Sequence, residues 1–146
     1  MLVNVNNQSY DLIVQKKETK GVYVISLSQN EQMASKICFG IENENDKNRV
    51  WLYRISTDDN YKKNGLGTKL IQTMEYIALQ NNITHIDGYY YPEDDVVASM
   101  FYFNNGYKFN FENASGHIYK DLNAIPNNEL IEAIKNNKQK EESVEL

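Results

Sequence analysis

Short apolar segments separated by polar turns make up the first third of the chain. Segments rich in β-branched and aromatic residues predict strands, here at residues 2–5, 9–17, 22–27, 36–42 and 49–55. The polar stretch 28–32 is predicted to close a hairpin, or alternatively to form one helical turn, because Ser28 and Glu31 have capping-box spacing. The charged, Asn-rich stretch 42–48 is predicted to be a loop. Together these segments predict an antiparallel N-terminal meander.

The spacing of apolar residues changes after residue 65. They recur from there at helical spacing and predict a helix to about residue 80, with an apolar face made of Leu66, Leu70, Ile71, Met74, Ile77 and Ala78. Asn81 and Asn82 end this helix, and a strand is predicted at 84–91. Because strand, helix and strand of these lengths require a crossover connection, segments 49–55 and 84–91 are predicted to be parallel neighbours.

The last third predicts a second helix and a hairpin. Pro92 breaks the preceding strand, a short helix follows at 96–104, and Gly106 provides its C-terminal stop. Two strands are predicted at 107–111 and 117–122, joined through the turn-forming residues 113–116. A final helix is predicted to open at Pro126, with a charged tail from Lys138.

Length and composition fit one domain over 1–146, with 123–146 as a C-terminal helix and polar tail. The chain has 146 residues, of which 41% are hydrophobic, enough for a core. It has no apolar run near the roughly 18 residues of a membrane helix, and Met1 to Asn4 lack a signal-peptide pattern. We therefore expect a cytoplasmic protein that does not bind membranes.

The charge balance argues against a nucleic-acid partner. The net charge is −5, from 15 basic and 20 acidic residues, and Arg49 and Arg54 are the two arginines; a nucleic-acid binder normally has a basic face. A mildly acidic surface favours a cationic partner, but it is equally the ordinary solubility charge of a cytosolic protein. His85 and His117 are far apart in the sequence, without matching Cys or carboxylate spacing, so no metal site is predicted.

The stretch 61–70, Tyr-Lys-Lys-Asn-Gly-Leu-Gly-Thr-Lys-Leu, lies between a predicted strand and a predicted helix. Gly65 and Gly67 allow a tight turn and a close approach of backbone to ligand, and the helix directs its unpaired N–H groups at the same loop. This pattern is typical of an anion site. A triphosphate P-loop is excluded because Gly67 is not followed by Lys and Ser or Thr, and the dinucleotide fingerprint fails at Leu70.

Two motifs in this order resemble the GNAT superfamily of acyl-CoA-dependent N-acetyltransferases. The run from Lys62 to Gly67 resembles the family's Gln/Arg-x-x-Gly-x-Gly/Ala motif between a strand and a helix. The later motif, an Ala, a Tyr and a Gly-aromatic pair, is matched by Ala98, Tyr102 and Gly106 with Tyr107. The resemblance implies an α/β fold with an α+β mixed sheet: a parallel β-α-β crossover at the glycine loop follows the meander, and a C-terminal hairpin and helix follow the crossover.

The resemblance also implies a role for each site residue. Acetyl-CoA would be the acyl donor, with no metal. Its pyrophosphate would bind the loop residues Lys62, Lys63, Asn64, Gly65, Leu66, Gly67 and Thr68, and its pantetheine arm the strand end at Ile55 and Thr57. Tyr102 would protonate the leaving thiolate. The base stays open, and the candidates are Asp87, Tyr89, Tyr91, Glu42, His117 and water.

Three departures from the family pattern affect the acceptor side and the loop. Lys62 replaces the usual Gln or Arg, and Asp95 replaces an Asn that often precedes the Ala. Lys17 and Val22 are too close for the two helices that the family places between its first strands, so this shortened N-terminal region implies an open acceptor site. We expect direct acetyl transfer to a primary amine: a protein or peptide amine, a polyamine or another cationic small molecule. The alternative is a non-catalytic acyl-CoA-binding or protein-interaction domain; either one could form a homodimer.

Overall fold

The computed structural model describes residues 1–18, 21–44, 47–90, 96–110 and 116–122. Within them, eight strands form one mixed sheet in the order β1-β2-β3-β4-β5-β6-β8-β7. The elements in chain order are β1 (Leu2–Val5), β2 (Gln8–Lys16), β3 (Val22–Gln29), β4 (Gln32–Glu44), β5 (Lys47–Thr57), a 3₁₀ turn (Asp59–Tyr61), α1 (Leu66–Gln80), β6 (His85–Tyr90), α2 (Val96–Asn104), β7 (Lys108–Asn110) and β8 (Gly116–Asp121). This confirms the predicted mixed sheet.

Tight turns connect the first strands of the antiparallel meander. Asn6 and Asn7 have φ of 52° and 66°, and Asn30 and Glu31 have φ of 52° and 64°, the positive values that a type I′ hairpin turn needs at both central residues. The hairpin prediction for 28–32 is therefore confirmed. The alternative helical turn is wrong, because β3 continues to Gln29 and pairs there with Gln32.

The loop predicted at 42–48 is wrong for the described residues of that stretch, 42–44 and 47–48. Strand β4 continues to Glu44 and β5 begins at Lys47, with Glu42 opposite Arg49 and Asn43 opposite Asn48. The polar composition of this stretch suggested a loop, but residues 42–44 and 47–48 continue the ladder. An ion pair of 3.0 Å between Arg49 Nε and Glu42 Oε2 holds one of these cross-strand pairs.

Strands β2 and β3 are too close along the chain for two helices to lie between them. Strand β2 ends at Lys16 and β3 begins at Val22, and the Lys17 N–H donates to the Val22 carbonyl at 2.8 Å. This confirms the shortened N-terminal region. Tyr91, Asp95, residues 111–115 and the predicted helix and tail after Leu122 lie outside the described residues.

The crossover between β5 and β6 is parallel, as predicted, but the two strands pair over a short stretch. Their three partner pairs run from Val50 with Ile86 to Leu52 with Gly88. Directly after the last pair, the β4–β5 register shifts, since Phe39 is opposite Leu52 and Cys38 is opposite Arg54. Tyr53 is thus the extra residue of a β-bulge, which bends the strand. We call the space between β5 and β6 beyond these pairs the gap.

Both helices pack on one face of the sheet. Helix α1 contacts β3, β4 and β5 and buries Leu70, Ile71 and Met74, as the helical spacing predicts. Helix α2 lies on the same face, where Tyr102 contacts Tyr90 of β6. Among the described residues no α-helix packs on the other face, which we call the open face. No helix in the described part of the chain is long and apolar enough to cross a membrane.

Candidate active site

A pocket of about 630 Å³ lies between the end of β5, the N-terminus of α1 and helix α2. It is lined by Ile55, Ser56, Thr57, Tyr61, Lys62, Lys63, Gly65, Leu66, Gly67, Thr68, Ala98, Phe101 and Tyr102. The proposed acid, Tyr102, therefore lines the same cavity as all but one of the residues that the sequence assigns to cofactor binding. The exception is Asn64, whose side chain instead donates to the Tyr61 carbonyl at 3.1 Å within the loop.

The loop leaves the first turn of α1 open toward this pocket. Gly65 occupies the N-cap position in the left-handed region, with φ of 79°, and no side chain caps the helix. The first turn contains no acidic residue, and the first intrahelical bond runs from the Lys69 N–H to the Gly65 carbonyl at 3.1 Å. The amides of Leu66, Gly67 and Thr68 precede that bond, so this end of the helix can bind an anion.

Gly67 is required for a different reason from the one the sequence suggested. It does not have a positive φ, and a Cβ built on it would lie 2.9 Å from Cε1 of Phe101. The missing side chain therefore makes room for an aromatic ring of α2 as well as for a ligand. This contact joins α2 to the start of α1 and fixes one wall of the pocket.

Lys62 supplies a positive charge at the outer end of the pocket. Its Nζ lies 2.9 Å from Asp59 Oδ1, and the two side chains are 60% and 91% exposed. An ion pair so exposed contributes little to stability, so a bound phosphate could compete for this cation at small cost.

Tyr102 lies at the inner end of the pocket and is buried, at 7% exposure. Its ring centroid is 5.5 Å from that of Tyr90 and 6.0 Å from that of Tyr107. Tyr90 follows the last β5–β6 pair, so Tyr102 stands beside β6 on one side of the gap while Ile55 lies on the other. A linear ligand bound along β5 would pass between them.

A buried ion pair connects α1, β8 and the end of α2. Lys120 Nζ donates to both Glu75 carboxylate oxygens, at 2.9 and 2.8 Å, and to the Asn105 carbonyl at 2.9 Å. Burial raises the pKa of Glu75, and Lys120 opposes that shift. Burial and then the charge of Glu75 raise the pKa of the neighbouring Tyr107 well above its ordinary value. No local sequence pattern indicates this contact, because the partners are 45 residues apart.

A second polar cluster lies on the open face around Asp87. Its carboxylate contacts His117 Nε2 at 2.7 Å, His85 Nε2 at 3.1 Å and an Arg49 nitrogen at 3.4 Å. The hydrogen bond to Glu42 raises the pKa of Arg49, and burial opposes the shift. Three of the candidate bases thus belong to one network. The sequence alone does not connect the two histidines, because only the pairing of β6 with β8 brings both of them to one carboxylate.

Sequence reasoning also missed some residues of the pocket wall. Ser56 lines the pocket between two predicted residues, and Tyr61 lines it from the 3₁₀ turn. Phe101 directly precedes Tyr102, the proposed acid. This position in the motif was the one signal that could have identified Phe101 as a pocket residue.

Comparison with known proteins gives the family. The acetyltransferase (GNAT) family model matches residues 4–107, while no curated protein sequence matches the chain. Among solved structures, the PaiA N-acetyltransferase of Thermoplasma acidophilum in complex with coenzyme A has a TM-score of 0.62 at 18% identity, and the match covers 69% of this chain and 61% of that one. The chain thus spans less than two thirds of that relative's length.

Two further structures share the fold. A GNAT-family acetyltransferase from Staphylococcus aureus has a TM-score of 0.62 at 20% identity, covering 70% of this chain and 68% of its own. A Bacillus subtilis acetyltransferase in complex with CoA has a TM-score of 0.63 at 11% identity, covering 77% and 99%. At these identities the likeness shows the fold, and the family model, which spans well over half of the sequence, shows membership. The chain therefore belongs to the GNAT family of acetyltransferases.

Proposed function

We propose that this protein transfers an acetyl group from acetyl-CoA directly to a primary amine. The observation that carries the proposal is the single pocket lined by the glycine loop, the end of β5 and Tyr102. Structural relatives that contain coenzyme A support acetyl-CoA as the donor. The acceptor would be a protein or peptide amine, a polyamine or another cationic small molecule.

Each part of the pocket has a role in this reaction. The first-turn amides of α1, with Lys62 and Lys63, bind the pyrophosphate. The pantetheine arm follows β5 past Ile55 and Thr57 into the gap. The amine nitrogen attacks the thioester carbonyl, the C–S bond breaks, and Tyr102 gives its phenolic proton to the thiolate. The amine loses one proton to a base, and no acyl-enzyme forms.

The open face supports an acceptor that approaches from the side opposite the helices. There the gap is flanked by Tyr53 and Tyr89, which are 54% and 49% exposed. A face on which no helix of the described residues packs suits an amine carried on a large or flexible molecule, such as a lysine side chain or a peptide N-terminus.

Calorimetry with acetyl-CoA tests whether the loop binds the pyrophosphate. We expect Thr68→Glu to weaken binding at least about tenfold, because it adds a negative charge among the first-turn amides, where the pyrophosphate is proposed to lie. The same charge favours the helix N-terminus, so the fold is not weakened. Gln72→Glu, one turn further along α1, is the matched control and should bind normally. Equal affinities for both variants would reject the proposed phosphate position.

Turnover assays test the proposed acetyl transfer and the role of Tyr102. Thiol release is measured with spermidine, a lysine-containing peptide with a blocked N-terminus, and a lysine-free peptide with a free N-terminus. Tyr102→Phe should lower kcat by about 10²-fold or more without loss of acetyl-CoA binding. Tyr23→Phe, which removes a hydroxyl from β3, serves as control. If acetyl-CoA binds and none of these amines is acetylated, the non-catalytic acyl-CoA-binding function replaces this proposal.

A further inference from the structure

Asp87 is the centre of the polar network on the open face. Its side chain is 6% exposed, and His117, His85 and Arg49 all contact it. A buried carboxylate that accepts several hydrogen bonds is held in place. It therefore fixes the orientation of the rings that donate to it.

His117 is the more accessible member of its pair with Asp87. Its side chain is 29% exposed, and Nε2 lies 2.7 Å from Asp87 Oδ1. When Nε2 carries the proton shared with the carboxylate, Nδ1 is the nitrogen that can accept another. A carboxylate in this position favours that tautomer and fixes the orientation of the ring.

The register of the sheet brings His117 next to the gap. His117 is opposite Tyr89, and Tyr89 is the first residue of β6 beyond the last pair with β5. The ring centroids of His117 and Tyr89 are 5.2 Å apart, and those of Tyr89 and Trp51 are 5.1 Å apart. Neighbouring strands are about 4.8 Å apart, so His117 lies one strand spacing from the β6 side of the gap, a distance that one water can bridge.

The other members of the network are less suited to this task. Asp87 is nearly inaccessible, and Glu42 is bonded to Arg49. His85 contacts the same carboxylate at 3.1 Å, but it starts β6 and pairs with Asp121, at the end of the strand away from the gap. The two histidines thus share a partner and differ in position.

We propose that His117 is the general base of the transfer reaction and that Asp87 is its positioning residue. This rests on the proposed function, and it assigns the step that the pocket residues leave open. Nδ1 takes the proton that the amine loses as its nitrogen attacks the thioester carbonyl. Nε2–H stays bonded to Asp87, and the C–S bond breaks as Tyr102 protonates the thiolate.

The test compares His117→Gln with His85→Gln. In both variants the Gln amide can still donate to Asp87, but it cannot accept a proton. On the fastest amine of the panel, we expect His117→Gln to lower kcat by about 10²-fold and His85→Gln to keep it within about threefold, with acetyl-CoA affinity unchanged in both. Near-wild-type kcat for His117→Gln, or an equal loss in both variants, would overturn the proposal.

The pH profile gives a second readout that a purely structural role would not change. The charged and titratable groups around His117 are Asp87 and Tyr89 on β6, Tyr119 on β8, His85, and Arg49 with Glu42 across the face. On one amine, His117→Gln should remove the imidazole contribution to the rising limb of kcat/KM. Asp87→Asn, which removes the carboxylate that orients the His117 ring, should lower the plateau of the same profile. Profiles identical to wild type would reject both roles.

Failure of the proposed function is recognised separately. If the wild type does not bind acetyl-CoA, or acetylates none of the panel amines, both proposals fail. If the wild type is active and the two histidine variants behave alike, only the assignment of His117 fails.

Discussion

The two glycines of the loop are required for different reasons. Gly65 has φ of 79°, and a Cβ there would meet its nearest atom only at 3.7 Å, so its backbone conformation is what excludes other residues. Gly67 is helical, and its Cβ would contact the ring of Phe101. The sequence motif shows that both positions are Gly. The reason at Gly65 is its φ, and the reason at Gly67 is Phe101, 34 positions later in the chain.

This difference predicts different results for Gly65→Ala and Gly67→Ala. Gly65→Ala should lower the free energy of unfolding by about 1–2 kcal/mol, the cost of a left-handed conformation for an L-residue. Gly67→Ala gains about 1 kcal/mol of helix propensity and displaces Phe101, so we expect little change in stability and weaker acetyl-CoA binding. Urea unfolding and calorimetry check both variants, and an equal loss of stability would contradict the distinction.

At the residue scale, local motifs predicted residues that the fold places around one pocket, and they did not predict the network around Asp87. The loop, Ile55, Thr57 and Tyr102 follow from local motifs, and the fold brings all of them except the Asn64 side chain to one pocket. The network around Asp87 could not be found this way. His117 is 30 residues from Asp87, and their contact depends on strand pairing that no local pattern encodes.

At the scale of elements, the second hairpin turn is strained. Glu31 has φ of 64°, a conformation that Gly or Asn adopts more easily. We predict that Glu31→Gly raises the free energy of unfolding by about 0.5–1 kcal/mol. The corresponding change in the first hairpin, Asn7→Gly at φ of 66°, should give a smaller gain because Asn already tolerates this region. Urea unfolding measures both, and an equal gain would contradict the explanation.

The contact between Lys120 and Glu75 holds three elements together, so Lys120→Met should strongly lower the free energy of unfolding. It leaves a buried carboxylate without its cation, which typically costs about 3–5 kcal/mol near neutral pH. Urea unfolding of Lys120→Met and of Glu75→Gln with Lys120→Met provides the comparison. We expect the double variant to recover part of the loss, and no recovery would show that the buried charge is not the cause.

The same variant has a defined pH dependence. Because burial raises the pKa of Glu75, the folded state holds this proton more tightly than the unfolded state, and the associated stability is lost as pH rises through the folded pKa. Without Lys120 that pKa rises further. The deficit of Lys120→Met should therefore be smallest below the ordinary value of 4.5 and grow as pH rises above it. A deficit independent of pH would contradict this.

At the scale of the whole molecule, the periodic patterns predicted most of the sheet and both described helices. Helix α1 and the hairpin of β7 and β8 were predicted to within a residue or two, because burial on one face imposes a period on their sequences. The long ends of β4 and β5 were missed, since residues 42–48 lack apolar positions. The bulge at Tyr53 was also missed. An extra residue in a strand does not change whether the residues around it are apolar or polar.

The bulge has a consequence for insertions and deletions in β5. Before it, the even-numbered Leu52 is buried among the helices, and after it the odd-numbered Ile55 and Thr57 line the pocket. Arg54 is exposed. Deletion of Tyr53 would restore strict alternation, because Leu52, Arg54 and Ile55 would keep their partners on β4 and their present faces. The strand would lose the bend that follows its last pair with β6. We predict that this deletion abolishes acetyl-CoA binding in calorimetry, whereas Tyr53→Ala retains it. One residue can thus be removed at Tyr53 without a change of register against β4, whereas a one-residue deletion elsewhere in β5 would turn every later side chain to the other face.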